Sequence, residues 1–360
     1  MRNEQLTVDF FLGALSPCGF TGWFAQAAQE PGVQAYLLKT GPGCGKSTFL
    51  KRVAQADNTS ACIQRIHCSS DPASLDGVLL PAAGALLLDA TAPHSLDCKF
   101  PGASERVVSL YDTLDNAFLK AHRTEILLLG KQNAALLQRA AAYFALACSL
   151  LQRRRACARE ALDTPRLTGF GRRLAQRTMP KKEVLRPGRQ QHRLLSAPTP
   201  GGPTVFYDTI PTLATELYTI HDAYGAAAPL LLSLLAEHAK TAGYDAILCH
   251  CPSDQTQIDH LFIPELHLAF LTSNTWHPML FVDQKNIHAD RWMDKAQLAK
   301  YRPALRREKS MAAELIDMTC EAQHAAKTVH DALEHYYVAA TDFSAVDRVR
   351  FDLQQELFGA

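Results

Sequence analysis

The sequence has ten cysteines but no CxxC pair and no regular cysteine spacing. That excludes the usual zinc frameworks and a disulfide scaffold, and it predicts reduced thiols. No stretch reaches the ~18 uninterrupted apolar residues of a membrane span. The longest candidate, 134–151, is split by Gln138 and Arg139 and is expected to form a buried helix. The opening MRNEQLTVDFF lacks a basic segment followed by a long apolar core, so no secretory signal is expected. An excess of one charge is missing too. The formal net charge is +1, which gives the chain as a whole no polyanion-binding signature. These absences point to a cytoplasmic protein.

What is there is 360 residues with 47% hydrophobic and 20% charged content, comfortable for two globular domains. Charge is uneven along the chain. Residues 153–193 hold thirteen Lys or Arg against Glu160, Asp163 and Glu183. Such a stretch could meet nucleic acid or an anionic surface, but without interleaved aromatics a solvated connector is the expected reading. Cys249-His250-Cys251 invites a metal site. Alternate residues of a strand point to opposite faces, so both thiols are expected to diverge from the imidazole.

The chain repeats itself. IHCSSDPASLDGVLLP (66–81) aligns with CHCPSDQTQIDHLFIP (249–264) at an offset of 183. His67, Cys68, Ser70, Asp71, Asp76 and Pro81 return as His250, Cys251, Ser253, Asp254, Asp259 and Pro264, and His94 returns as His277. At an offset of 182, Tyr36 meets Tyr218 and Gly43 meets Gly225. The chain reads as two copies of one unit. Each copy runs lead-in, strand, turn, helix, a second strand ending in His-Cys, a third apolar strand and a long helical region. Strands alternating with helices predict an α/β fold with a parallel sheet covered on both faces. The expected division is a first domain at 1–179, a basic linker at 180–191 (PKKEVLRPGRQQ) and a second domain at 192–360. The closing helices, about 116–160 and 296–338, are expected to pack as arms, with Glu334 and Tyr337 on one stripe.

In the first copy an apolar strand, 35–39, runs into Thr40-Gly41-Pro42-Gly43-Cys44-Gly45-Lys46-Ser47-Thr48 and then a helix. This is the Walker A arrangement with Thr40 in place of its leading glycine. Gly41, Gly43 and Gly45 let backbone N–H groups turn inward around phosphate oxygens, and the helix offers its positive end. Lys46 is placed to reach the β- and γ-phosphates and the Ser47 hydroxyl to bind Mg2+. Thr40 is expected to be tolerated at the rim if its φ is negative. The apolar run 84–88 ends in Asp89, the Walker B form, whose carboxylate is expected to hold Mg2+. Lys46, Asp89 and Asp71 are thus the candidate catalytic residues; Gly41 through Thr48 cradle the nucleotide; Ser47 and Asp89 serve the metal.

The second copy has Ala227, Ala228, Pro229 and Leu230 where the first has Gly45, Lys46, Ser47 and Thr48, and Thr272 where it has Asp89. It is expected to keep the fold and to have lost the phosphate site. His67, Asp71, Asp76 and His94 have counterparts in that second copy. They therefore read either as turn and cap residues or, for Asp71 or Asp76, as groups orienting a water or an acceptor hydroxyl, with His94 sensing the γ-phosphate.

TGPGCGKST, HCSSDPASLDGVLLP, LLLDATAPHSLDCKFPG and HCPSDQTQIDHLFIPELHLAFLTSN resemble the duplicated bacterial P-loop NTPases known as ATPases and sometimes loosely as nucleotide kinases. The resemblance covers nearly the whole chain. It implies two tandem three-layer α/β/α units with long helical arms, and ATP with Mg2+ as ligands. Relatives often carry a phosphate loop in both halves, and this sequence departs by keeping one. Three functions are open at this stage: an ATPase, a kinase acting on a nucleotide or other small-molecule acceptor, and a nucleotide-gated protein that binds a protein partner with negligible turnover.

Overall fold

The computed structural model describes residues 6–183 and 186–359. The first five residues, positions 184 and 185 of the expected linker, and the last residue lie outside them. The elements that matter here are β1 (Leu6–Phe11), β2 (Gln34–Lys39), α1 (Lys46–Ala56), β3 (Cys62–Cys68), β4 (Asp71–Leu80), β5 (Ala85–Asp89), β6 (Glu105–Ser109), α2 (Arg123–Glu160) and α3 (Thr164–Thr178). There follow β7 (Gln190–Arg193), β8 (Glu216–His221), α4 (Ala228–Ala242), β9 (Ala246–Cys251), β10 (Asp254–Ile263), β11 (Leu268–Ser273), β12 (Lys285–His288), α5 (Lys295–Ala340) and α6 (Phe343–Phe358). The fold is mixed α/β with two six-stranded sheets.

The chain forms two compact units. Unit 1 takes residues up to Ala141, Pro198–Gly202 and everything from Thr319 onward; unit 2 takes Ala142–Ala197 and Pro203–Met318. These are not the boundaries expected from the repeat. The terminal helix of the first half, α3, belongs to unit 2, and that of the second half, α6, belongs to unit 1. Packing explains the exchange. Val346 and Leu353 of α6 are buried in the core that Phe49, Leu50 and Val53 of α1 form on their sheet, while Leu167 and Leu174 of α3 are buried with Leu231, Leu232 and Leu235 of α4. Short ladders fix each exchanged end. Leu114 pairs with Thr341 within unit 1, and Leu162 pairs with Met293 within unit 2.

In unit 1 the strand order is β1-β3-β4-β5-β2-β6. The expected parallel sheet is corrected here: β4 runs antiparallel to both β3 and β5, while the remaining pairings are parallel. Asp71 and Asp76, expected as turn, cap or water-orienting residues after the second strand, lie within β4, a strand that also carries Pro72 and Gly77. Pro72 stands at the second position of the strand, where a missing donor costs little. Gly77 is there for space, since a Cβ would lie 2.7 Å from Leu88 Cδ2 and 2.8 Å from the Leu87 carbonyl oxygen. The centre of the sheet is dry. Ala35–Leu38 and all of β5 are buried, as a strand covered on both faces requires.

Unit 2 has the order β7-β9-β10-β11-β8-β12, with β10 as its antiparallel member. Strand for strand this is the order of unit 1, and the ladder irregularity also recurs, at Ile66–Cys68 in one sheet and Cys249–Cys251 in the other. The helix expected to be buried at 134–151 lies inside α2. Only Ala140, Phe144, Ala147 and Cys148 of that stretch are buried. By length and composition α2 is long and apolar enough to cross a membrane, and 22% of its most apolar window is buried.

Candidate functional site

In unit 1, β2 ends at Lys39 and the chain turns through Gly43 and Gly45 at φ of +67° and +79°, conformations that favour glycine. Thr40 is buried and keeps a negative φ, as its place at the rim demands. Gly45 is the N-cap of α1 and offers no side-chain oxygen, so it leaves the first-turn N–H groups without a side-chain cap. β2 pairs directly with β5, setting Leu38 opposite Asp89. That register carries the lysine to the carboxylate: Lys46 Nζ lies 3.5 Å from Asp89 Oδ2 and donates to the Gly41 carbonyl at 2.6 Å. Asp89 is oriented by Thr91, whose N–H and hydroxyl donate to Oδ1 at 3.0 and 2.6 Å. Ser47 Oγ accepts from the Leu75 N–H at 2.9 Å, and the Cys44 thiol donates to the Pro42 carbonyl at 3.2 Å. Thr48 is exposed.

Asp76 and His94 join this pair. One ligand atom each from Asp76, Asp89 and His94 lie within 4.8 Å of one another, and all three residues are buried. His94 Nε2 is 3.5 Å from Asp76 Oδ2, and its ring stacks on Phe24 at 4.5 Å between centroids. Burial opposes the imidazolium, but the hydrogen bond to Asp76 and the charges of Asp76 and Asp89 outweigh it, so the pKa of His94 is raised. The two carboxylates suit a hard divalent cation. Asp71 is not part of the group. It opens β4 and accepts from the Ser74 hydroxyl at 2.8 Å. His67 is structural: Nε2 meets Asp9 Oδ1 and Nδ1 meets the Pro72 carbonyl, both at 2.7 Å.

Residues from the end of α5 and the start of α6 lie on the loop. The Gly43 N–H donates to Glu334 Oε1 at 3.1 Å. A Cβ at Gly41 would stand 2.5 Å from the Tyr337 ring, and one at Gly45 would stand 3.3 Å from Phe343. The Glu334–Tyr337 stripe was visible in the sequence as a core-packing stripe; nothing local identified the loop as what it packs on.

The corresponding loop of unit 2 is not a bare frame. Gly225 has φ of +68°, matching Gly43. Asp222, 1% exposed and standing at the position of Thr40, fills the turn. Its Oδ1 accepts from the N–H groups of Tyr224 and Gly225 at 3.1 and 2.9 Å, and its Oδ2 from those of Ala227 and Ala228, both at 2.8 Å. The second copy was expected to keep the fold without the phosphate residues, and the structure adds that its turn is filled from within. Ala228, Pro229 and Thr272 stand where the first copy has Lys46, Ser47 and Asp89, and an internal carboxylate takes the inward N–H groups. Sequence reasoning passed over Asp222 because its counterpart, Thr40, does no such work. Asp259 and His277 keep the Asp76–His94 pairing at 3.6 Å, with His277 Nδ1 against the Thr272 carbonyl at 3.0 Å.

Four of the thirteen basic residues of 153–193 pair with carboxylates of unit 2 outside that stretch. Arg153 pairs with Glu308, Arg155 with Asp254, Lys182 with Glu265 and Arg186 with Asp245. Cys249 is buried, burial raises the pKa of Cys251 to about 12, and among the described residues no metal-ligating group forms there. Comparison of the chain with protein-family models, with curated proteins and with solved structures gave no match to any of them.

Proposed function

We propose that the protein binds one ATP per chain, with Mg2+, at the loop of unit 1, and hydrolyses it. The observation that carries this reading is the Lys46 ammonium, held between the Gly41 carbonyl and the Asp89 carboxylate where the glycine turn meets an uncapped helix. A phosphate chain needs that set: inward N–H groups, one fixed cation and a carboxylate beside it for the metal. Mg2+, when bound, would supply charge neutralisation between phosphate oxygens. Ser47 and Asp89 are the residues to hold it, with Asp76 nearby. Lys46 would reach the terminal phosphates. Asp76 stands beside His94 Nε2, and the charges of Asp76 and Asp89 raise the pKa of the histidine against its burial.

The matched strand order, the shared ladder irregularity and the sequence repeat favour two copies of one P-loop unit, of which the second is self-filled. The cysteine spacing, which offers no disulfide framework, accords with a cytoplasmic setting. A second reading, a nucleotide-gated interaction protein with little turnover, draws on two observations. Ala90 follows Asp89, leaving no adjacent glutamate to activate water, and arm residues lie on the loop. Phosphate release at saturating Mg-ATP, with and without small-molecule acceptors, separates hydrolysis, transfer and binding alone. Calorimetry should give a stoichiometry of one; a stoichiometry of two would remove the self-filled second loop from the account.

A further inference from the structure

The loop of unit 1 already holds an anion. Glu334 Oε1 accepts the Gly43 N–H, one of the inward donors that a phosphate chain would need. The glutamate is built into this position. Tyr337 covers Gly41 one helical turn further along α5, and Val338 lies against Gly43, where a Cβ would come within 3.2 Å of it. His330 Nε2 stands 3.4 Å from the same Oε1. That hydrogen bond, working against burial and helped by the Gly43 N–H and Lys327, holds the Glu334 carboxyl below its ordinary range and therefore ionised. A phosphate group and this carboxylate carry charge of the same sign and want the same donor.

The other loop supplies the contrast. In unit 2 the arm residue over Gly225 is Arg155, whose Nε would lie 3.5 Å from a Cβ there. The unit without a lysine thus has a cation over its glycine, and the unit with the lysine has an anion. Asp222 is buried and holds four N–H groups, so its occupation of the turn is fixed. Glu334, on the arm, holds one N–H and its side chain is 38% exposed, so it can leave.

We propose that Glu334 is an internal competitor for phosphate in unit 1, so that nucleotide binding and the seating of the end of α5 on the loop exclude one another. The inference rests on the reading of this loop as an ATP site. Phosphate taking the Gly43 N–H removes the polar contact between Glu334 and the loop, and like-charge repulsion drives the carboxylate away. Binding is thereby converted into release of the arm from Gly41–Gly45, with no covalent step.

The test uses the full chain. Mg-ATP affinity is measured by calorimetry for the native protein, Glu334→Gln and Glu334→Arg, with a melting curve for each to establish that it is folded. Hydrogen exchange is followed over residues 330–345 with and without Mg-ATP. Removing the charge should tighten binding about tenfold, and the reversal should tighten it at least as much. Mg-ATP should speed exchange over 330–345 in the native protein. Native protein that binds ATP while both folded variants bind no more tightly, with exchange over 330–345 unchanged, overturns the competitor and leaves the ATP site standing. If none of the three binds ATP, the site itself is refuted and the competitor falls with it.

Discussion

Asp222 Oδ2 accepts the Ala228 N–H at 2.8 Å, at the position where the other loop carries Lys46. The same carboxylate serves three further N–H groups in a place that water does not reach. Asp222→Ala strands them all, and stranding even one buried donor costs about 1–3 kcal/mol. We expect a loss of about 3–5 kcal/mol, near the upper end for a single substitution, read as a lower melting temperature of unit 2. Millimolar inorganic phosphate should recover part of the loss in the variant and do nothing to the same unit of the native protein. A cost below ~1 kcal/mol would mean that the N–H groups find other partners.

Lys46 and Asp89 make the complementary case. Lys46→Ala should abolish ATP binding in calorimetry, whereas Ala228→Gly should leave it unchanged. Because the lysine and aspartate side chains are 10% and 11% exposed, removing the cation also leaves a buried carboxylate without its partner. Breaking such a pair costs about 3–5 kcal/mol, so unit 1 should melt earlier even without nucleotide. Asp89→Asn should weaken ATP binding mainly when Mg2+ is present. An equal effect in EDTA removes Asp89 from the metal.

Acid should act on the two units with opposite signs. Burial, then the charge of His192, depresses the pKa of His250 to about 4, and burial, then the charge of His277, depresses that of His260 to about 3, against 6.5 for a free imidazole. Both stay neutral when folded while the unfolded chain takes up protons. Their contribution is therefore intact above pH 6.5 and is lost as pH falls toward those values. His94 is raised instead, so its contribution is intact below 6.5 and is lost as pH climbs through its folded pKa. Melting temperatures across pH 5–8 should show it: His260→Phe flattens the acid-side loss, and Asp76→Asn flattens the alkaline-side loss.

Cutting the chain at the repeat boundary should fail to isolate the phosphate-loop unit. Residues 1–180 lack α6, and with it Val346 and Leu353 from the core over α1. Each such side chain contributes about 1.5–3 kcal/mol by burial. They also lack Asp347, which pairs with Arg52 at 2.7 Å. Residues 1–141 joined by a flexible linker to 319–360 should be cooperative in thermal unfolding where 1–180 is not. Equal cooperativity of the two fragments would remove the exchanged helix from the fold's requirements.

The Lys46–Asp89 pair was legible in the sequence because it is made locally: an apolar strand, a glycine turn and a helix, then a second apolar strand that can only lie beside the first. Strand β4 was not, since Pro72 and Gly77 are strand breakers unless an early position and a crowded neighbour call for them. Asp222 was hidden by the alignment that found the repeat, which invites attention to what the second copy lacks. The arm contact was hidden by distance. Glu334 and Gly43 are 291 residues apart, and no periodicity within α5 names a partner that remote.

That separation also sets an order of assembly. At about 5–20 residues per second, the 291 residues between Gly43 and Glu334 take roughly 15–60 s to synthesise. Unit 2 draws its whole sheet and the helix that covers it from residues made before Thr319. Unit 1, although its sheet is made first, waits for residues 343–358 before α6 closes over α1. On a ribosome the vectorial order is therefore inverted: unit 2 is complete while unit 1, begun earlier, still presents an open apolar face over α1.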